Sequence, residues 1–179
     1  MKTTQILIAG FGGQGILFAG KFLAYKGLLE DKQVSWLPSY GPEMRGGTAN
    51  CNVILSETPV GSPIVTEPDV LIAMNLPSLE KYVDTVVPGG QIYLDSSLIH
   101  YEIQRTDVQV FPIPATALAK ENGIDSLANM IILGSLLENQ PELSFEGVET
   151  VVSSLVPPKK AALIELNRKA LQLGKDYKA

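Results

Sequence analysis

The 179-residue sequence contains one cysteine, Cys51, and one histidine, His100. A single cysteine excludes an intrachain disulfide. It also excludes an iron–sulfur cluster held by this chain alone, because such clusters normally take about four protein ligands. With one histidine the usual ligands of a zinc site are missing too, so no metal site is predicted. A lone thiol fits a reducing compartment, and we therefore expect a cytoplasmic protein.

Charged residues are also scarce, at 18% of the chain compared with about 25% in an ordinary soluble domain. They comprise 14 basic and 19 acidic residues, a net charge of −5. This balance lacks the basic stripe that neutralises phosphates, so nucleic acid is not an expected partner. No run approaches the roughly 20 apolar residues that span a bilayer, so no membrane contact is predicted. A chain this poor in charge is expected to cover part of its surface with other proteins.

Short apolar runs alternate with stretches of helical period along the whole chain. This alternation is typical of βαβ units and predicts one α/β domain, residues 1–179. The expected architecture is a doubly wound, mostly parallel sheet with helices on both faces, a Rossmann-like three-layer sandwich. An apolar start resembles a signal peptide, but four glycines interrupt it, so we interpret it as a strand and a loop. The expected strands are 6–9, 33–37, 49–55, 70–74, 92–94 and 108–111.

The expected helices lie between these strands and after them. Alternation of apolar and polar residues in 49–55 favours a strand near a sheet edge or an interface. The last helix is expected to begin at Pro157-Pro158 and to end near Gly174. Its predicted inner face is Leu163, Leu166, Ala170 and Leu173. The other expected helices are 17–28, 78–83, 115–121 and 127–137.

A glycine-rich loop, Gly10-Phe11-Gly12-Gly13-Gln14-Gly15, follows the first predicted strand and precedes the first helix. Glycines in this setting allow a tight turn and present helix N-terminal amides to an anion. We predict that Gly12, Gly13, Gln14 and Gly15 contact a cofactor or a partner subunit; close packing of helix on strand is the structural alternative.

A dinucleotide enzyme would place a carboxylate at the end of the second strand, where Trp36-Leu37-Pro38 stand. Glu30 and Asp31 precede that strand, at its wrong end. No Gly-Lys-Ser/Thr follows the glycine loop, so a phosphate-binding loop of that type is excluded. These observations argue against a free-standing NAD(P)-binding oxidoreductase of Rossmann type, which we keep as the alternative function.

A second loop is the most distinctive stretch of the chain. Arg45 followed by Gly46 and Gly47 is suited to a cationic nest for phosphate or carboxylate. The alternative is a plain turn in which Arg45 pairs with Glu43 or with water. The stretch reads Pro38-Ser39-Tyr40-Gly41-Pro42-Glu43-Met44-Arg45-Gly46-Gly47-Thr48-Ala49-Asn50-Cys51.

Together the two loops resemble the gamma subunit of 2-oxoacid:ferredoxin oxidoreductases. The resemblance runs from Gln5 to about Leu137, and the second loop is its most specific part; the last forty residues add only a helical tail. Further matching segments are Gly61-Ser62-Pro63, Pro68-Asp69 and Asn129-Met130-Ile131-Ile132-Leu133-Gly134.

The resemblance implies a subunit of an enzyme that cleaves a 2-oxoacid oxidatively to an acyl-CoA, carbon dioxide and reduced ferredoxin. Thiamine diphosphate, magnesium and [4Fe–4S] clusters are held by the other subunits in this family. The chain agrees, because it has no Gly-Asp-Gly…Asn thiamine motif. The resemblance implies that alpha and beta subunits, and in some complexes a delta subunit, are the partners of this chain. Ferredoxin would bind to the assembled complex. No catalytic residue and no tightly bound cofactor are predicted for this chain.

Two roles follow for the loops. In the first, residues of the second loop and the late helix dock on the catalytic subunits: Tyr40, Pro42, Glu43, Met44 and Asn129. In the second, the amides of 12–15, with Arg45, Gly46 and Gly47, contact coenzyme A, whose phosphates suit a positive concavity.

Several points stay open at this level. Asp95 and Asn75 follow predicted strands and are either site residues or, as we favour, ordinary caps. Lys159 and Lys160 are interpreted as a solvated pair at a helix start. The oxoacid is open, with 2-oxoglutarate or a branched-chain acid favoured by overall similarity. A homodimer of the isolated chain that buries 49–55 is a further expectation.

Overall fold

A computed structural model describes residues 2–39 and 48–178 of the chain. The described part contains six strands that form one sheet. Buried aliphatic runs form the central strands, because both faces of these strands are covered. The strands are β1 (Thr3–Phe11), β2 (Gln33–Ser39), β3 (Thr48–Ser56), β4 (Val70–Ala73), β5 (Gln91–Asp95) and β6 (Gln109–Ile113).

Helices connect or follow these strands. Short 3₁₀ turns lie at Val83–Thr85, Asp125–Leu127 and Pro158–Lys160. None of the helices in the described ranges is long and apolar enough to cross a bilayer. The helices are α1 (Ile16–Leu29), α2 (Leu76–Tyr82), α3 (Ala115–Glu121), α4 (Ala128–Asn139), α5 (Val148–Leu155) and α6 (Ala162–Asp176).

The strand order across the sheet is β2-β3-β1-β4-β5-β6. β1, β4, β5 and β6 run parallel, and β3 pairs antiparallel with both β1 and β2. In register, Ile8 of β1 lies opposite Ile72 of β4 on one side and Cys51 of β3 on the other. The mostly parallel, doubly wound prediction is therefore confirmed, with an antiparallel pair of strands added at one side.

The sheet separates two cores. The larger core joins alternate residues of the strands, such as Ile6 and Ile8, to α1 and to α3–α6. The smaller core, on the opposite face, joins Leu7 and Leu71 to α2 through Leu79. Because successive strand residues point to opposite faces, one apolar strand supplies both cores. The prediction of helices on both faces is confirmed.

α4 and α6 approach each other at two glycines. A Cβ added at Gly134 would lie 2.8 Å from the carbonyl carbon of Leu171, and one at Gly174 would lie 2.7 Å from that of Ile131. In both cases the carbonyl oxygen is closer still. The absence of a side chain at these positions therefore sets the distance between the two helices.

Several sequence predictions need correction. The strand at 49–55 is not at a sheet edge; β3 lies between β2 and β1, and its Ala49, Cys51, Val53 and Leu55 pack in the larger core. α5 was not predicted. The inner face of α6 includes Leu163, Ala170 and Leu173 as predicted, but Leu166 is exposed and Leu171 is buried in its place. β2 continues through Pro38, as an edge strand can.

Candidate functional site

The carboxyl ends of β1 and β4 lie side by side, and the chain leaves them toward opposite faces of the sheet. β1 and β4 are adjacent parallel strands. The helix after β1 packs on the larger core, and the helix after β4 packs on the smaller core on the opposite face. In open α/β sheets a crevice forms at such a point, and ligands bind there. The glycine loop, residues 11–15, lies at this place.

Gln14 lies across this crevice. Its Oε1 accepts a hydrogen bond from the backbone N–H of Phe11 at 2.7 Å, and its Nε2 donates to the carbonyl oxygen of Met74 at 2.9 Å. The amide thus joins the loop after β1 to the end of β4. This bridge holds the two strand ends together, and contact of Gln14 with a cofactor stays a prediction.

α1 begins directly after the loop. Its N-cap, Gly15, has the left-handed φ of 73°, and no side chain among the described residues caps it. The first turn of α1 also contains no acidic residue. The N-terminal N–H groups of a helix attract anions, so this end of α1 is electrostatically suited to a phosphate or carboxylate. Gly12 and Gly13, before it, are exposed.

Asn129 of α4 forms a hydrogen bond with the end of the glycine loop. Its side chain is 5% exposed, and its Nδ2 donates a hydrogen bond to the carbonyl oxygen of Gly15 at 3.1 Å. A Cβ on Gly15 would collide with this amide. Asn129 Oδ1 is buried with no partner among the described residues. Asn129 therefore contacts the loop within this chain, and its contact with a partner subunit stays a prediction.

Asp95 and Asn75 are caps, the alternative that the sequence favoured. Asp95 is fully buried and accepts hydrogen bonds from the N–H of Ser97 at 3.0 Å and from Thr116, whose hydroxyl donates at 2.5 Å and whose N–H donates at 3.2 Å. It joins β5 to the start of α3. Asn75 accepts from the N–H of Ser78 at 2.8 Å and so begins α2.

Cys51 lies behind α1 rather than at the crevice. It is fully buried, and its Sγ donates to the carbonyl oxygen of Ile16 at 3.5 Å. Burial raises the pKa of the thiol to about 12, an effect that the neighbouring Trp36 side chain and Gly20 backbone oppose in part. A thiol with so high a pKa is unreactive at neutral pH, so its role is packing.

The remaining predicted site residues fall outside the described ranges. These are Tyr40, Pro42, Glu43, Met44, Arg45, Gly46 and Gly47. The described ranges contain no cluster of three or more histidine, cysteine or carboxylate side chains that could hold a metal ion. The described site thus consists of a bridging amide, an uncapped helix start and exposed glycines, and it contains no nucleophile paired with a base.

Fold and site define a Rossmann-like α/β domain whose strand-end crevice is bridged by its own side chain. The chain belongs to the pyruvate ferredoxin/flavodoxin oxidoreductase family, whose model matches residues 5–177. This confirms the family resemblance found in the two loops.

Two curated relatives and two solved structures are similar over almost the whole chain. The chain is 37% identical over 180 residues to the ketoisovalerate oxidoreductase subunit VorA of Methanothermobacter marburgensis, covering 98% of this chain and 37% of the relative. It is 36% identical over 179 residues to the 2-oxoglutarate synthase subunit KorC of the same organism, covering 96% of this chain and 95% of the relative. The chain therefore spans little more than a third of VorA and nearly all of KorC.

Among solved structures, the gamma subunit of a keto/oxoacid ferredoxin oxidoreductase from Geobacter sulfurreducens superposes with a TM-score of 0.84 at 34% identity. The match covers 97% of this chain and 95% of that one. A 2-oxoglutarate:ferredoxin oxidoreductase from Magnetococcus marinus, with 2-oxoglutarate, coenzyme A and succinyl-CoA bound, superposes with a TM-score of 0.87 at 28% identity. That match covers 98% of this chain and 31% of that one.

Proposed function

We propose that this chain is the gamma subunit of a multi-subunit 2-oxoacid:ferredoxin oxidoreductase. The enzyme would decarboxylate a 2-oxoacid oxidatively to an acyl-CoA and reduce ferredoxin. The observation that carries the proposal is the similarity to the Geobacter gamma subunit over nearly the full length of both chains. The absence of a nucleophile–base pair among the described residues around the crevice agrees with a subunit that is inactive by itself.

The alternative, a free-standing NAD(P)-dependent oxidoreductase, is not favoured. The similarity over almost the whole chain is to subunits of 2-oxoacid oxidoreductases. The described end of β2, Trp36–Ser39, also presents no carboxylate for a ribose.

Subunit docking is the main role that we propose. The second loop supplies Tyr40, Pro42, Glu43 and Met44 for this contact, and Asn129 holds the neighbouring glycine loop in place. Alpha and beta subunits, with or without a delta subunit, would be the partners, and ferredoxin would bind through the complex. Thiamine diphosphate, magnesium and [4Fe–4S] clusters would reside in those partners, since one buried cysteine cannot hold a cluster here.

Contact with coenzyme A is the second role. The start of α1 has no side-chain cap and no acidic residue in its first turn, which suits a phosphate of the coenzyme. Gly12, Gly13 and Gly15 would let the coenzyme approach the backbone. Arg45, Gly46 and Gly47 would add a positive charge and further amides. Gln14, through its hydrogen bond to Met74, would hold this loop in position.

The oxoacid is proposed to be 2-oxoglutarate or a branched-chain acid. The support is the names of the relatives, which are subunits of a ketoisovalerate oxidoreductase and of a 2-oxoglutarate synthase. A cytoplasmic location belongs to the same proposal, because a chain with a lone free thiol suits a reducing compartment.

The test is an anaerobic affinity purification of the tagged chain from its native host. The eluate is analysed by mass spectrometry and assayed for viologen reduction that depends on both a 2-oxoacid and coenzyme A. We expect a thiamine-binding and a cluster-binding subunit to co-purify with that activity. A chain that purifies alone with bound NAD(P) would overturn the proposal and restore the dehydrogenase.

The coenzyme A role has its own test in the purified complex. We expect Arg45→Ala to raise the KM for coenzyme A and to leave the KM for the oxoacid unchanged. Lys120→Ala, which removes an exposed cation on α3, is the control. An Arg45→Ala complex that assembles normally with an unchanged KM for coenzyme A would remove Arg45 from both proposed roles.

A further inference from the structure

The outer face of α1 carries three large apolar side chains that are exposed, although Leu29 also contacts Gly147. Tyr25 is 40% exposed, Leu28 58% and Leu29 47%. Leu17 and Phe18, about two turns earlier, are half-buried and pack against the larger core. We call Tyr25, Leu28 and Leu29, together with the exposed Lys21, the α1 stripe.

α1 is unusual because it is apolar on all sides. Its inner residues, such as Phe22 and Leu23, are fully buried in the larger core, and its outer residues are apolar as well. A helix that is apolar all round is normally buried. In this chain, where charge is scarce, the pattern indicates that the outer face of α1 is also covered in the working assembly.

The charges of α1 support the same conclusion. Lys26 is fully buried and forms an ion pair with Glu30 and a hydrogen bond with Ser144, so its charge is satisfied inside the chain. Lys21 is then the one charged side chain that α1, a fully described helix, presents to the outside. A lone cation in an apolar stripe fits a partner that presents a carboxylate among apolar residues.

The size of the stripe selects the kind of partner. A helix of 14 residues is about 21 Å long, so the stripe offers a few hundred Å² at most. A stable dimer needs about 800 Å² on each partner, so two copies joined through this stripe alone would not hold together. Two copies would also bring a Lys21 side chain from each chain to one apolar contact. The stripe therefore fits one part of a larger contact with a different, larger polypeptide.

We infer that the α1 stripe docks on a partner subunit of the same oxidoreductase, through an apolar surface that places a carboxylate opposite Lys21. This inference rests on the proposed function, because it takes its partner from the proposed complex. VorA supports it, since this chain corresponds to about a third of VorA and the remainder is joined to the same polypeptide.

The experiment compares how two matched variants of the full chain bind the partner subunits. Leu28→Asp places a charge in the stripe, and Ile64→Asp places one on a side chain that is equally exposed, at 59%, outside the stripe. Each variant is mixed with the purified partner subunits, and the dissociation constant is measured by isothermal titration calorimetry. We expect Leu28→Asp to weaken binding by at least about tenfold, because a charge inside an apolar contact has no partner there. Ile64→Asp should bind like the unaltered chain.

Two further measurements locate the partner. A photo-crosslinking residue at position 28 of the assembled enzyme should capture a peptide of a partner subunit that contains Asp or Glu. Lys21→Glu should weaken binding, and raising the salt concentration should weaken the unaltered chain more than Lys21→Ala. The melting temperature of each isolated variant shows whether it is folded.

The outcomes separate this inference from the proposed function. If partner subunits bind the unaltered chain and Leu28→Asp binds equally well, the inference fails and the proposed function stands. If the isolated chain is a dimer in sedimentation and Leu28→Asp makes it a monomer, the occupant is a second copy and the inference also fails. If no partner subunit binds the unaltered chain, both fail.

Discussion

The contact between α4 and α6 offers a quantitative test of the packing. We expect Gly134→Ala to destabilise the chain, although alanine is the better helix former by about 1 kcal/mol. The added Cβ would lie 2.8 Å from the carbonyl carbon and 3.0 Å from the Cα of Leu171, whereas ordinary contacts begin at 3.4 Å. Because both groups belong to backbones, no side chain can turn away, and the helices must separate.

The magnitude follows from what the separation breaks. A gap of 0.5–1 Å forfeits about a quarter to a half of the dispersion energy of each contact across it. The contacts at stake include Met130, Leu137 and Leu171, all buried in the larger core. Overpacking of a core typically costs about 1–3 kcal/mol. Because the collision here is with backbone atoms, we take the upper end of about 3 kcal/mol. After the gain of about 1 kcal/mol in helix propensity, the expected net loss is about 2 kcal/mol, which lowers the melting temperature of a domain of this size by roughly 4–8 °C.

The measurement is urea unfolding of the isolated chain, followed by circular dichroism, together with thermal melts. Gly174→Ala, at the facing position on α6, should show a loss of similar size. Gly61→Ala is the matched control, because nothing lies within 4 Å of a Cβ at that position. A Gly134→Ala chain as stable as the unaltered one, or more stable, would refute the close approach of the two helices.

The remaining predictions concern Cys51 and Asp95. Burial raises the pKa of Cys51 from 9.0 to about 12, so iodoacetamide at pH 8 should modify the thiol only after urea is added. The folded pKa lies above the unfolded one, so the thiol's contribution to stability is complete below pH 9 and is lost as the pH rises from 9 toward 12. The urea midpoint should fall over that range, and less steeply in Cys51→Ala; rapid modification of the folded chain at pH 8 would contradict this. Asp95→Ala leaves the donors of Ser97 and Thr116 without an acceptor and should cost about 2–3 kcal/mol in urea unfolding. Asp107→Ala, at an exposed carboxylate, should change the midpoint far less, and equal losses in the two variants would exclude a capping role for Asp95.

The approach of coenzyme A and the docking of subunits would occur at neighbouring parts of one domain. The glycine loop and the start of α1 offer amides to an anion, and the same helix continues as the apolar stripe. Under the proposals above, α1 would contact a ligand at its first turn and a partner subunit along its length.

The amino-acid sequence by itself determined the strand runs, the glycine loop and the family. Strands with both faces buried read as continuous apolar runs, and the segment 70–74 was recognised for that reason. The sequence indicates the glycine loop because the spacing of its glycines, and its place between a strand and a helix, are local information. The two loops together were specific enough to indicate the family, which the match over residues 5–177 confirms.

Only the tertiary structure decided the order of the strands and the partners of the polar side chains. The alternation in 49–55 shows one buried face, but it does not distinguish an edge strand from β3, which pairs with β1 on one side and with β2 on the other. Gln14 meets Met74 sixty residues away, and Asn129 meets Gly15 across 114 residues. No local pattern reports such contacts, because they depend on which strands the chain places side by side. The exposure of Leu28 on α1 is likewise not visible in the sequence, because burial is a property of the assembled fold.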